Sequence, residues 1–68
     1  MTERLLNKKE VQTISSISPA HIDRLEKAGA FPKRVRLGPG RVAWAYSEVL
    51  AWVQAQIAKR DALAASAL

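Results

Sequence analysis

All three prolines and all three glycines of this 68-residue chain lie between positions 19 and 40, and they divide its middle into short elements. Proline lacks a backbone N–H, and glycine alone takes positive φ freely, so each marks a boundary. Ser18-Pro19 opens a helix: Ser18 is the N-cap, and Pro19 occupies the first helical position, where a missing N–H costs nothing. Gly29 supplies the left-handed residue that closes this helix, and Pro32 after Phe31 prevents its continuation. Gly38-Pro39-Gly40 is a tight turn.

The segments between these markers read as follows. Asn7-Lys8-Lys9-Glu10 has the capping-box pattern, and Val11 and Ile14 give the helix behind it a narrow apolar stripe that ends near Ser15-Ser16. Ile22 and Leu25 line one face of the second helix, with Ile17 placed to staple its start. Two short helices and a tight connection make a helix-turn-helix pattern, which an antiparallel helical hairpin also resembles. The period then changes to two: Val35 and Leu37 alternate with Arg34 and Arg36, as in a half-buried strand. Arg41–Tyr46 is the return strand, with Val42, Trp44 and Tyr46 on one face and Arg41, Ala43 and Ala45 on the other. Ser47 is the expected N-cap of a last, amphipathic helix bearing Val49, Trp52, Val53 and Ile57.

The expected fold is therefore small and mostly α with a two-stranded β-hairpin wing: helix, helix, hairpin, helix. One domain covers 1–68, ordered from about residue 4 to about residue 60, with a fraying Ala-rich tail over 61–68. A chain of this size buries only about 60% of its unfolded surface. Its core must centre on a few large side chains, for which Trp44, Trp52 and Phe31 are the candidates. No cysteine is present, which excludes disulfides and thiolate zinc sites. Residues 1–6 lack the apolar run of a signal peptide, and no stretch approaches the roughly 20 apolar residues of a membrane span. The expectation is a cytoplasmic, nucleoid-associated protein with no membrane contact.

The formal charge of +5 is confined to one place. Arg24, Lys27, Lys33, Arg34, Arg36 and Arg41 face only Glu26 between positions 24 and 41, whereas the segments on either side are each neutral. A basic excess on one segment is the footprint of phosphate binding, and its bland alternative is a solvated surface. Enzymatic chemistry has little to work with. His21 is the single histidine, no carboxylate pair has convincing spacing, and the Gly38-Pro39-Gly40 turn lacks the Lys-Ser/Thr of a phosphate-binding loop. No catalytic residue, metal, cofactor or small-molecule ligand is expected.

Helix, turn, helix, basic hairpin, helix is the order of a winged helix-turn-helix domain, whose second helix docks in the major groove of duplex DNA. In that arrangement Ser18, Pro19, Ala20 and His21 form the exposed first turn, with Arg24 and Lys27 continuing the same side. Lys33, Arg34, Arg36 and Arg41 belong to the wing, placed along phosphates or in the minor groove. Asp23 either accepts from a cytosine amino group, orients Arg24 or Lys27, or faces away. The rival reading is a protein-interaction module built on the last helix. RNA is a weaker option, because the wing lacks an exposed aromatic pair for stacking bases.

An ordered set of pieces resembles the AlpA family of phage and prophage regulators, which is related to small excisionases and to the DNA-binding head of MerR-type regulators. The pieces are Arg4-Leu5-Leu6, Lys9-Glu10-Val11, Ile17-Ser18, Arg24-Leu25 and Gly29-Ala30-Phe31-Pro32-Lys33, followed by Val35-Arg36-Leu37-Gly38, Arg41-Val42-Ala43-Trp44 and Ser47-Glu48-Val49-Leu50-Ala51-Trp52. The resemblance implies a sequence-specific binder of double-stranded DNA that regulates transcription or biases an integrase toward excision. At His21 and Asp23 the chain departs from the Thr or Ser and the Tyr that family members often carry, so base preference does not transfer. A module this small makes few contacts, which leads us to expect a homodimer or cooperative multimer on DNA, joined through Leu50, Ile57 and Leu63.

Overall fold

A computed structural model describes residues 3–66. Strand β1 (Leu5–Leu6) is followed by helices α1 (Lys8–Ser15) and α2 (Pro19–Lys27), the hairpin strands β2 (Val35–Gly38) and β3 (Arg41–Ala45), and the long helix α3 (Tyr46–Ser66). This is the winged helix-turn-helix order with one addition, a third strand. Met1, Thr2 and the last two residues of the expected tail lie outside the described residues.

The local signals act as their chemistry requires. Asn7 Oδ1 accepts from the Glu10 N–H at 2.8 Å while Glu10 Oε1 accepts from the Asn7 N–H at 3.0 Å, completing the capping box of α1. Ser16, with φ 61°, ends that helix in the left-handed region. At the close of α2, Ala30 N–H bonds to Leu25 C=O at 2.8 Å and Gly29 N–H to Glu26 C=O at 3.1 Å. This Schellman-type wrap needs the positive φ of Gly29, 75°.

The antiparallel sheet runs β1-β3-β2. Leu5 lies opposite Ala45 and Leu6 opposite Trp44, so β1 extends the hairpin on its inner side. A two-residue strand carries no readable periodicity, and the sequence shows the first element only from Asn7. Leu6 is nevertheless fully buried, in one cluster with Val11, Ile22, Phe31, Trp44 and Val49. Trp52 flanks this core, edge-on to Phe31 with ring centroids 4.9 Å apart, and its Nε1 donates to Ala30 C=O at 2.6 Å.

Two sequence expectations are corrected. Ser47 is not the N-cap of α3, because the helix begins one residue earlier. Its cap comes from 44 residues away: Glu3 Oε1 accepts from Ser47 N–H at 3.0 Å and from Ser47 Oγ at 2.6 Å. The adjacent Tyr46 N–H bonds to Arg4 C=O at 2.8 Å. The second correction concerns the faces of β2. Val35 and Leu37 are exposed, at 39% and 53%, instead of half-buried. Val35 pairs with Ala43 and Arg36 with Val42, so the arginines share the side of Val42 and Trp44. At its Arg34 end that side meets Asp23 and Glu26 of α2, which hold the Arg34 guanidinium, while Arg36 stays exposed. The ladder shifts register between Arg36 and Gly38, and the turn closes with Gly40 at φ 71°.

Helix α3 buries Val49 and half-buries Trp52 and Val53, but from Gln54 onward its described side chains are exposed. Ile57, expected on the buried stripe, is 45% exposed, because the helix has by then left the body of the domain. Among the described residues no helix is long and apolar enough to cross a membrane.

Candidate nucleic-acid interface

Helix α2 owes its position to Ile22, which is fully buried, and to Leu25, which packs against the same core. Because these anchors lie three apart, the opposite side of the helix must face outward. That side carries Ala20, Arg24 and Lys27, and these residues together with Ser18, Pro19 and His21 of the first turn are all exposed. Ser18 Oγ already accepts from the His21 N–H at 3.3 Å, and Ser18 C=O accepts from the Ile22 N–H at 3.0 Å. Arg24 forms no ion pair with Glu10, whose carboxylate instead binds Arg4 at 3.1 Å.

The wing residues divide into three sets. Lys33 and Arg36 are exposed and join Lys27 around an open hollow between α2 and β2, floored by Glu26 and Arg34. A second hollow adjoins it along α2, lined by Asp23, Arg24, Glu26, Lys27 and Arg34. The two share Glu26, Lys27 and Arg34 and so make one basic cleft from α2 to the wing. Arg41 lies apart, beside Leu5, Asn7, Lys8 and Leu37 on the way to α1.

Arg34 is neither exposed nor free. Its Nε donates to Glu26 at 2.8 Å and one terminal nitrogen to Asp23 at 2.6 Å, while its backbone N–H reaches Glu26 at 2.9 Å. The guanidinium also sits over the Trp44 ring, 5.0 Å from the centroid. Asp23, whose partner the sequence left open, is shared between Arg34 and Lys8 Nζ at 3.2 Å and orients neither Arg24 nor Lys27. The Arg34 hydrogen bond, helped by Lys8, holds the Asp23 carboxyl below its ordinary range. Sequence reasoning missed these partnerships. The one available signal was Asp23-x-x-Glu26, an acidic pair one turn apart in an otherwise basic segment.

Among the described residues no group of three or more histidines and carboxylates is arranged to hold a metal ion. The site offers exposed cations along α2 and the wing and the exposed first turn of α2.

The family model described as prophage CP4-57 regulatory protein, AlpA, matches residues 4–57. The chain is also similar to the uncharacterized protein ORF88 of Enterobacteria phage P4, with 43% identity over 58 residues. That alignment takes in 85% of this chain and 66% of the phage protein, so the chain spans slightly under two thirds of that relative's length. No solved structure matches it. Since the matched residues run from β1 through both short helices and the wing to the exposed middle of α3, the chain belongs to the AlpA family of prophage regulatory proteins.

Proposed function

We propose that this chain is a sequence-specific double-stranded-DNA-binding regulator, with α2 in the major groove and the wing on phosphates or the adjacent minor groove. One observation carries the reading: Ala20, Arg24 and Lys27 on the outer side of α2, with His21 of its first turn, are continuous with Lys33 and Arg36 across the cleft, and all are exposed. An α-helix fits the major groove, and its N-terminal residues then meet base edges. Arg24, one turn into the helix, is the principal base or phosphate contact. Lys27, Lys33 and Arg36 follow the backbone, and Arg41 reaches it from the far side of the wing. Transcriptional control and an excisionase-type role beside an integrase use the same contacts. Binding without turnover is sufficient for either.

The test is a fluorescence-anisotropy titration against a pool of random-sequence duplexes at low and moderate salt. Wild type is expected to enrich a discrete motif and to weaken steeply as salt rises. Arg24→Ala should cost about 1–3 kcal/mol and relax the motif at one position, whereas Lys33→Ala should weaken all sequences alike. No binding to any duplex at low salt overturns the reading.

A second reading has its own observation. Leu50, Ile57 and Leu63 are 36%, 45% and 72% exposed on a helix that outruns the domain body. We assign the side carrying Leu50 and Ile57, two turns apart, to contact between copies on DNA, with Leu63 on another side of the helix; an interaction with a different protein is the alternative.

A further inference from the structure

Arg34 stands in the middle of the basic cleft, yet its Nε, one terminal nitrogen and its backbone N–H are already engaged. Nε and the backbone N–H hold Glu26, a terminal nitrogen holds Asp23, and the plane lies on Trp44. Its side chain is 27% exposed and that of Glu26 only 18%. The two carboxylates sit one turn apart on the helix proposed to enter the groove. Asp23 is tied in addition to Lys8 on α1, so a chain of charges crosses from α1 through α2 to the base of the wing.

For Arg34 to reach a phosphate it would have to leave Glu26 poorly solvated and unpaired, with the DNA backbone close by. An uncompensated carboxylate there repels phosphate, and breaking a partly buried pair costs more than the pair itself contributes. The planar guanidinium is suited to this task, since its forked N–H groups serve two carboxylates at once while its face stacks on an aromatic ring. A lysine ammonium has no such fork.

We infer that Arg34 is a positioning residue and not a DNA contact: it straps the wing to α2 and neutralises Asp23 and Glu26, so that phosphates lying in the cleft meet Arg24, Lys27, Lys33 and Arg36 without it. The strap is a property of the free protein, while the neutralising role rests on the DNA-binding reading above.

The experiment has two readouts. In the first, Arg34→Gln is made in wild type and in an Asp23→Asn/Glu26→Gln background, and affinity for random-sequence duplexes is measured at low salt. The expected loss is about tenfold in wild type and within about twofold in the neutral background, because the residue then has nothing to neutralise. A loss as large in the neutral background means that Arg34 itself touches phosphate and overturns the inference. Arg34→Lys keeps the positive charge but not the fork and should lose less affinity than Arg34→Gln; a loss as large as that of Arg34→Gln overturns the neutralising role.

In the second readout, backbone 15N relaxation reports wing order in the free protein. Arg34→Gln and Arg34→Lys should each loosen residues 35–42 while α1 stays ordered, and an unchanged wing overturns the strap. Should wild type bind no duplex but the wing loosen as described, the DNA reading fails and the strap stands.

Discussion

Carboxylates do much of the fastening in this chain, and each holds a different joint. Glu3 caps α3 through Ser47, Glu10 closes the capping box of α1, and Asp23 bridges Lys8 and Arg34. The acidities of all three groups are shifted in one direction. Hydrogen bonds from the Ser47 side chain and backbone lower Glu3, the Asn7 N–H lowers Glu10, and Arg34 followed by Lys8 lowers Asp23. A carboxyl whose folded pKa lies below its unfolded value stabilises the fold fully above the unfolded value, and that stabilisation is lost as pH falls through the folded one. The melting temperature should accordingly hold through neutral pH and fall from about pH 5 downward. Glu3→Gln should lower the plateau and flatten the decline, as thermal melts across that range would show. A Glu3→Gln curve parallel to wild type would mean the Ser47 contact contributes nothing. The residues of the Asn7–Glu10 box and the Ser18-Pro19 start were legible because capping is local, with donor and acceptor three residues apart. The Glu3–Ser47 cap was not, because nothing near either residue announces a partner 44 positions away.

Among the elements, stability is concentrated at the junction of β3 with the start of α3. Trp44 is fully buried between the helices and the sheet, with Leu6 opposite it in the ladder and Arg34 over its ring. Trp44→Ala should cost about 3–5 kcal/mol, enough to unfold much of a domain this small, and urea titration would measure it. The far half of α3 is the contrast. Its described side chains beyond Val53 are exposed, and helices owe most of their stability to packing. A chain ending at Arg60 should lose about 1 kcal/mol or less in the same titration. A larger loss would place a packing role on the distal helix. The hairpin shows where periodicity stops being informative. Alternation at 34–37 correctly indicated a strand, but which face is inward depends on what lies across it. Here Glu26 and Asp23 on α2, together with the Trp44 ring, draw Arg34 inward, while Val35, Arg36 and Leu37 are all exposed.

On the scale of the whole molecule, the dimensions of 50 × 30 × 20 Å reflect a small body from which α3 projects. On the proposed DNA-binding reading a single short helix makes few base contacts, so occupancy should depend on neighbouring copies, with the Leu50 and Ile57 side of α3 supplying the contact surface. Sedimentation of the saturated complex on a motif-bearing duplex should give two or more protomers, and Ile57→Asp should reduce that to one. A single protomer of wild type at saturation would end this expectation. Element order, the α2 boundaries, the turn at 38–40 and the basic central segment follow from the sequence by itself, because capping, glycine and proline geometry and formal charge are local properties. The short β1 strand, the remote cap of α3, the exposure of both faces of β2 and the engagement of Arg34 were decided only in the tertiary structure. Each depends on which distant group arrives opposite a residue, and hydrogen bonds and ion pairs are satisfied across space, irrespective of separation along the chain.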